Sequence, residues 1–173
     1  MVCRNYVDGW GWLVGSLVML SIDDPANVPG IEYTDTQIVK IAEWDPEESF
    51  VQFNFQGIFD LQPNFVVLFT DTNHLKQHTV TDLAITDVNP DTDLVTGVAT
   101  PGSHVYVWVY GEMGRIDRHE IADSPDNWTA DFSVPGNEPG EGYAYDIILE
   151  TGGEANQVDV DKDTTQVNWW GAD

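Results

Sequence analysis

Short runs of alternating apolar and polar residues recur along the chain, and turn-forming residues separate them. In one such run Val18, Leu20 and Ile22 share a face. Asp23-Asp24-Pro25 then ends the run, because proline cannot donate to a strand ladder. A period of two is typical of strands with one buried face. Helical periodicity is almost absent, so the chain is predicted to be all-β.

The clearest alternation covers residues 104–110, where Val105, Val107 and Val109 share one face and polar and aromatic side chains share the other. Residues 100–103, Thr-Pro-Gly-Ser, form a turn before it, because proline presets φ and glycine allows a positive φ. Further strands are predicted at 36–42, 50–55, 65–70, 75–80, 83–88, 94–98, 115–121, 128–133, 143–149 and 164–169.

The second half alone holds about seven of these runs, the number expected of an immunoglobulin-like sandwich. The chain has 173 residues, enough for two small domains. We therefore predict two immunoglobulin-like antiparallel β-sandwich modules in tandem, at residues 1–78 and 79–173. No stretch rich in Gly, Pro or Ser divides them, so the junction around residues 79–81 is expected to be short and fairly rigid.

Several motifs, in their order and spacing, carry a family resemblance that spans nearly the whole chain. They are Gly9-Trp10-Gly11-Trp12, Ile22-Asp23-Asp24-Pro25, Phe55-Gln56-Gly57, Asp60-Leu61-Gln62-Pro63, the segment 95–103, the segment 127–132 and Asp159-Val160-Asp161-Lys162-Asp163. With them the chain resembles repeat modules of large secreted or cell-surface bacterial proteins, and its second half resembles a bacterial immunoglobulin-like domain. The resemblance implies a sandwich fold, export to the cell surface or medium, and an adhesin or accessory role.

Charge narrows the choice of partners. The chain carries 30 acidic and six basic residues, a formal net charge of −24. Such a surface repels nucleic acid phosphates and anionic membranes, so nucleic acid is excluded as a partner. It favours solubility and offers carboxylates to divalent cations. The apolar run 12–20 is far shorter than the roughly 20 residues that span a bilayer, so no membrane insertion is expected.

The only cysteine is Cys3, so no disulfide can form within the chain. Stability must therefore come from packing. Leu17 and Met19 make both faces of the first apolar strand hydrophobic, whereas modules of the resembled type tend to have Thr there. This departure allows a weak homodimer as well as a monomer.

The best candidate for ligand binding is the row Tyr106, Trp108 and Tyr110. Side chains two residues apart on a strand stand roughly 7 Å apart, a spacing on which sugar rings can stack. The row therefore predicts binding to a polysaccharide or another cell-surface polymer. A protein interface, or burial under a loop or the neighbouring module, would explain the same three residues.

Alternating carboxylates at Asp159, Asp161 and Asp163 suggest a Ca²⁺ site, because a bent loop can bring such oxygens together. Lys162 stands where glycine is usual in such a loop, and the distal glutamate of a helix-loop-helix calcium motif is missing. A solvated acidic loop is the alternative.

No catalytic motif stands out. Carboxylate pairs such as Glu47 and Glu48 are not diagnostic in a chain with this many acids. We therefore expect a noncatalytic extracellular module, either an adhesin or spacer or a carbohydrate-binding domain, and no catalytic residue is named. A small polysaccharide hydrolase that uses paired carboxylates is the alternative.

Overall fold

The computed structural model describes residues 2–3, 5–27, 30–111, 114–123 and 127–171. Over these residues the chain forms fifteen strands and no helix. It divides into two compact units, Met1–Val80 (unit 1) and Thr81–Asp173 (unit 2). The prediction of an all-β, antiparallel chain is thus confirmed, and the immunoglobulin-like arrangement of the modules stays a prediction.

Unit 1 has two antiparallel sheets packed around one core. Its strands are β1 (Val2–Cys3), β2 (Tyr6–Trp10), β3 (Leu17–Asp23), β4 (Ile31–Ile38), β5 (Lys40–Ile41), β6 (Ser49–Asn54), β7 (Val66–Thr70) and β8 (Leu75–Thr79). The strand orders within the unit are β1-β2-β6-β5 and β4-β3-β7-β8. Val18, Leu20 and Ile22 of β3 are fully buried against the inward face of β6, as their alternation predicts.

Unit 2 repeats the two-sheet plan. Its strands are β9 (Ala84–Asn89), β10 (Leu94–Val98), β11 (His104–Gly111), β12 (Gly114–Ile121), β13 (Asn127–Asp131), β14 (Gly152–Val158) and β15 (Thr164–Trp170). The strand orders are β12-β11-β14-β15 and β13-β10-β9. Val105, Val107 and Val109 lie at the centre of the core with no exposed surface, so their predicted face is confirmed.

The strand predicted at 143–149 is wrong. Its backbone donors go to single acceptors and not to a ladder: Tyr145 N–H donates to Phe132 O at 2.8 Å, and Ile147 N–H donates to an Asp93 carboxylate oxygen at 2.8 Å. The ladder forms instead at β14, between β11 and β15. The predicted strand 36–42 is also displaced, because β4 begins at Ile31 and buried Val39 interrupts the run before β5.

A long connection between β13 and β14, residues 132–151, is fastened by the buried side chain of Arg118. Its guanidinium donates to the carbonyl oxygens of Val134 (2.6 Å) and Tyr143 (2.9 Å), which lie in the connection. It also donates to the carbonyl oxygen of Asp131 (2.6 Å), the residue just before the connection. The buried Glu141 carboxylate accepts the His119 backbone N–H at 2.5 Å. The connection is therefore held against β12 by charged groups and not by a ladder.

Candidate functional site

The aromatic row, Tyr106, Trp108 and Tyr110, stands on the outer face of sheet β12-β11-β14-β15. Strand alternation forces this, because the three intervening valines point into the core. Tyr106 is 41% exposed and Tyr110 is 45% exposed, whereas Trp108 is half-buried. The row therefore lies on one face of a sheet, with its rings only partly open to solvent.

Neighbouring strands contribute side chains that already contact the rings of the row. The Arg115 guanidinium lies over the Trp108 ring, 4.3 Å from its centroid. The His119 ring is nearly parallel to Tyr106 at 4.6 Å between centroids. Each of these contacts covers part of a ring in the row, and sugar binding at the row stays a prediction.

Tyr110 is held through its hydroxyl group. It donates to a Glu154 carboxylate oxygen at 2.6 Å, and burial together with this contact raises the pKa of Tyr110 to about 12. The same carboxylate accepts the side-chain N–H groups of Asn156 (3.2 Å) and Gln166 (3.0 Å). These bonds cross three strands and fix a flat, polar outer face.

A histidine pair lies at one end of this face. His104 Nδ1 and His119 Nε2 are 2.7 Å apart, and the ring centroids are 5.0 Å apart with an interplanar angle of 10°. A nitrogen–nitrogen distance this short between nearly parallel rings means that the rings meet edge to edge in a hydrogen bond, whose donor depends on the tautomers. The pair adds to the bonding that holds the face together.

Unit 1 contains a different kind of surface, a concavity of about 640 Å³, which we call the unit 1 concavity. Its lining combines aromatic, aliphatic and polar side chains. The lining residues are Asp8, Trp10, Gln37, Ile38, Lys40, Ile41, Glu43, Trp44, Phe50, Val51 and Gln52. All of them belong to unit 1.

Strand register builds the floor of the unit 1 concavity. Strands β2 and β6 pair antiparallel, with Asp8 opposite Gln52 and Trp10 opposite Phe50. These residues share the face opposite the core, since Val51 and Phe53, which alternate with them along β6, are buried in the core. Two cross-strand pairs, one polar and one aromatic, are thus placed side by side.

A tight loop after the edge strand β5 supplies the wall. Ala42 N–H donates to Glu48 O at 2.9 Å, and Glu47 N–H donates to the Asp45 carboxylate at 2.9 Å. This loop carries Trp44, which is 64% exposed and meets Phe50 in an edge contact at 4.8 Å and 73°. Contact with the fixed Phe50 ring orients an otherwise exposed tryptophan.

Asp8 is the most deeply buried acid of the unit 1 concavity, with 5% exposure. Gln52 Nε2 donates to its Oδ1 at 2.9 Å. Burial raises the pKa of Asp8, and the hydrogen bond from Gln52 partly offsets this effect. The carboxyl group is therefore a fixed polar group whose ionisation is disfavoured by its surroundings.

The sequence analysis did not predict the unit 1 concavity. Trp10 and Trp44 lie at turns and strand starts in the sequence, where packing in the core would explain them. A possible indication was that segments 6–10 and 50–54 each place a polar and an aromatic residue two positions apart, on the face opposite the core. It was obscured because Asp8 and Gly9 do not resemble a strand interior.

The acidic loop 159–163 does not bring its carboxylates together. It is a hairpin loop closed by Asp159 N–H donating to Asp163 O at 2.9 Å, with Lys162 in the left-handed region at φ 71°. One Asp159 carboxylate oxygen accepts the backbone N–H groups of Asp161 (3.2 Å) and Asp163 (2.8 Å). Ca²⁺ takes six to eight oxygen ligands, and in the described part of the chain no group of three or more His, Cys, Asp or Glu residues is placed to hold a metal ion. The Ca²⁺ site at Asp159, Asp161 and Asp163 therefore stays a prediction.

A buried ionic cluster in unit 2 lies apart from these surfaces. Glu120 is half-buried near Arg118 and Glu141, and burial, followed by the charge of Glu141, raises the pKa of Glu120 to about 7. The described ranges contain no helix of the length and apolar character needed to cross a membrane.

Comparison with known proteins gave no match to a protein-family model and none to a curated protein sequence. Two solved structures are similar at low level. One is a tetra-tandem repeat from the extending region of a large adhesion protein, at 11% identity and a TM-score of 0.36, covering 92% of this chain and 42% of that one. The other is a Ca²⁺-stabilized adhesin that helps an Antarctic bacterium reach out and bind ice, at 12% identity and a TM-score of 0.32, covering 98% of this chain and 43% of that one.

This chain therefore spans less than half the length of either adhesin structure. At TM-scores this low they assign no roles to individual residues of the chain.

Proposed function

We propose that the chain is a noncatalytic spacer module of a larger extracellular, adhesin-type protein. The observation that carries the proposal is that each unit has its own apolar core, formed by residues of its antiparallel strands. A self-contained sandwich can bear load and be repeated along a chain without depending on a ligand.

Charge supports the same role. Unit 1 carries 11 acidic and three basic residues, and unit 2 carries 19 and three. Like-charged neighbouring copies repel each other and stay soluble, which suits a module held at high local density on a surface.

Single-molecule force spectroscopy tests the proposal. When the chain is pulled from its two ends, two separate unfolding steps are expected, each adding roughly 25–30 nm of contour for units of this size. One step of about twice that length, or unfolding without a resolved force peak, would contradict a spacer of two self-contained units.

The alternative of a polysaccharide hydrolase has a specific observation in its favour, because Asp8 and Glu43 both line a tryptophan-containing concavity. A glycosidase uses two such carboxyls. We expect no release of reducing ends from cellulose, xylan, chitin or mannan above the blank. Release that disappears in Asp8→Asn would replace the spacer proposal with the enzyme.

Leu17 and Met19 of β3 are exposed and could pack against a second copy of the chain. We propose a weak homodimer through this strand. Sedimentation at high concentration should show a dimer that Met19→Thr weakens, and a monomer throughout would remove the proposal.

A further inference from the structure

We propose that the unit 1 concavity is a binding site for a neutral saccharide. This goes beyond the spacer role, and the two can fail separately, because force spectroscopy does not depend on any ligand. The site is also distinct from the aromatic row of unit 2, on which the sequence-based prediction of sugar binding rests.

The aromatic wall gives the first argument. Trp44 and Trp10 stand on either side of Phe50, at ring-centroid distances of 4.8 Å and 5.7 Å and interplanar angles of 73° and 48°. Three rings in contact at these angles form a curved surface. The apolar C–H faces of a sugar ring pack on such surfaces. The exposed Trp44, beside exposed Ile38 and Ile41, forms an apolar patch whose removal from water would favour binding.

The polar floor gives the second argument. Asp8 and Gln52 are joined by a 2.9 Å hydrogen bond, so a planar carboxyl and a planar amide are held next to the aromatic pair Trp10 and Phe50. Neighbouring hydroxyl groups of a sugar need both donors and acceptors at short spacing. The exposed Gln52 amide offers both, and its hydrogen bond to the buried Asp8 fixes its orientation, which lowers the entropy cost of binding.

Charge selects a neutral ligand. The acidic surface of the chain repels anionic polysaccharides. A cationic ligand would need an ionised partner at the floor, but burial disfavours the ionised form of Asp8, and the other charged residues of the lining, Lys40 and Glu43, contribute one charge of each sign. The lining therefore combines apolar surface with hydrogen-bonding groups and has no strong preference for either sign of charge.

Size and position agree with a polymer ligand. The volume of about 640 Å³ lies inside the range of roughly 300–1,000 Å³ that is usual for ligand sites. Strand β5 is the last strand at this edge of its sheet. A site at a sheet edge is open on one side, so a polysaccharide chain can extend beyond the residues that are bound.

The experiment is a binding assay of the full chain against neutral polymers (cellulose, xylan, mannan, chitin), one anionic polymer (alginate) and one cationic polymer (chitosan). The wild type is expected to bind at least one neutral polymer and not alginate. Trp44→Ala should weaken that binding at least about tenfold, because it removes an exposed stacking surface. Since Trp44 is exposed, this variant is expected to keep the circular dichroism spectrum and thermal transition of the wild type.

Matched tryptophan variants complete the design. Trp170→Ala removes an 82% exposed tryptophan of unit 2, and Trp108→Ala removes the centre of the aromatic row. Both should bind as the wild type does. No binding of the wild type to any neutral polymer, undiminished binding by folded Trp44→Ala, binding to chitosan alone, or loss of binding in Trp108→Ala would each overturn the proposal.

Discussion

The two units share a two-sheet plan, but they secure their longest internal connections by different means. In unit 1 the connection from β6 to β7 is packed by aromatic rings: Phe59 lies 5.9 Å from Phe55, 6.0 Å from Phe65 and 5.4 Å from Tyr33. In unit 2 the connection from β13 to β14 is held by hydrogen bonds of the Arg118 guanidinium and the Glu141 carboxylate. Aromatic packing is insensitive to pH, whereas a buried ionic cluster is not.

The difference also affects the outer faces. In unit 2 the three side chains of the aromatic row contact Arg115, His119 and Glu154, whereas Trp170 of β15 is exposed. Unit 1 leaves Trp44 exposed over a polar floor. The aromatic row of unit 2 is thus in contact with neighbouring side chains, whereas Trp44 of unit 1 stands over a concavity.

The largest effect is expected for Arg118→Met. The substitution keeps an apolar stem over Phe132 but removes the donors to the connection 132–151 and leaves Glu141 without a nearby cation. Breaking one side of a buried ionic group costs about 3–5 kcal/mol. Hydrogen exchange followed by mass spectrometry should show lost protection in 132–151. Equal loss in 55–65 of unit 1 would contradict the separate fastening of the two units.

A smaller effect is expected for Phe55→Leu in unit 1. Phe55 is fully buried and contacts Tyr33 and Phe59. The loss of ring contacts should lower the free energy of unfolding by about 2 kcal/mol. Because no charged group is involved, urea denaturation should give the same loss at pH 5 and pH 8. A loss that varies with pH would show that unit 1 also depends on titrating groups at this position.

The smallest effect, and one of opposite sign, is expected for Glu120→Gln. The pKa of Glu120 is raised in the folded chain from 4.5 to about 7, so the ionised carboxylate is disfavoured there relative to the unfolded chain. Its cost is absent below pH 4.5, grows as the pH rises to about 7, and is constant above that. The amide should therefore raise stability at pH 8 by about 1 kcal/mol, after allowance for solvent screening of a half-buried group.

Denaturation of Glu120→Gln and wild type across pH 4.5–8 checks this. The two curves should meet near pH 4.5 and separate as the pH rises. A variant less stable than the wild type at pH 8 would mean that the ionised carboxylate stabilises unit 2 through Arg118.

The sequence was most informative where burial is one-sided. Val105, Val107 and Val109 alternate cleanly with outward residues, and all three are core residues. The alternation pattern did not predict strands whose residues are set by tertiary packing and have low strand propensity. Gly152 and Gly153 lie inside β14, a central strand, although glycine weakens strands in isolation. A side chain at Gly153 would place its Cβ 2.1 Å from the Trp169 ring and 2.3 Å from Trp108 O, so only glycine fits.

The candidate site was less predictable than the fold. The row on β11 could be placed on one face from alternation alone, but its contacts with Arg115 and His119 depend on cross-strand register, which one strand does not encode. The unit 1 concavity needs strand 6–10 to pair with strand 49–54, which lies about 40 residues further along the chain, so no single local pattern indicates it.

Hydrogen exchange of the full chain, with and without a soluble neutral polysaccharide, tests most directly the claim that unit 1 is open to a ligand and unit 2 is not. Added protection is expected in residues 6–10 and 37–52, with no change in β11, β12 and β14. Protection confined to residues 104–121 and 152–158 would contradict it and would assign sugar binding to the aromatic row of unit 2.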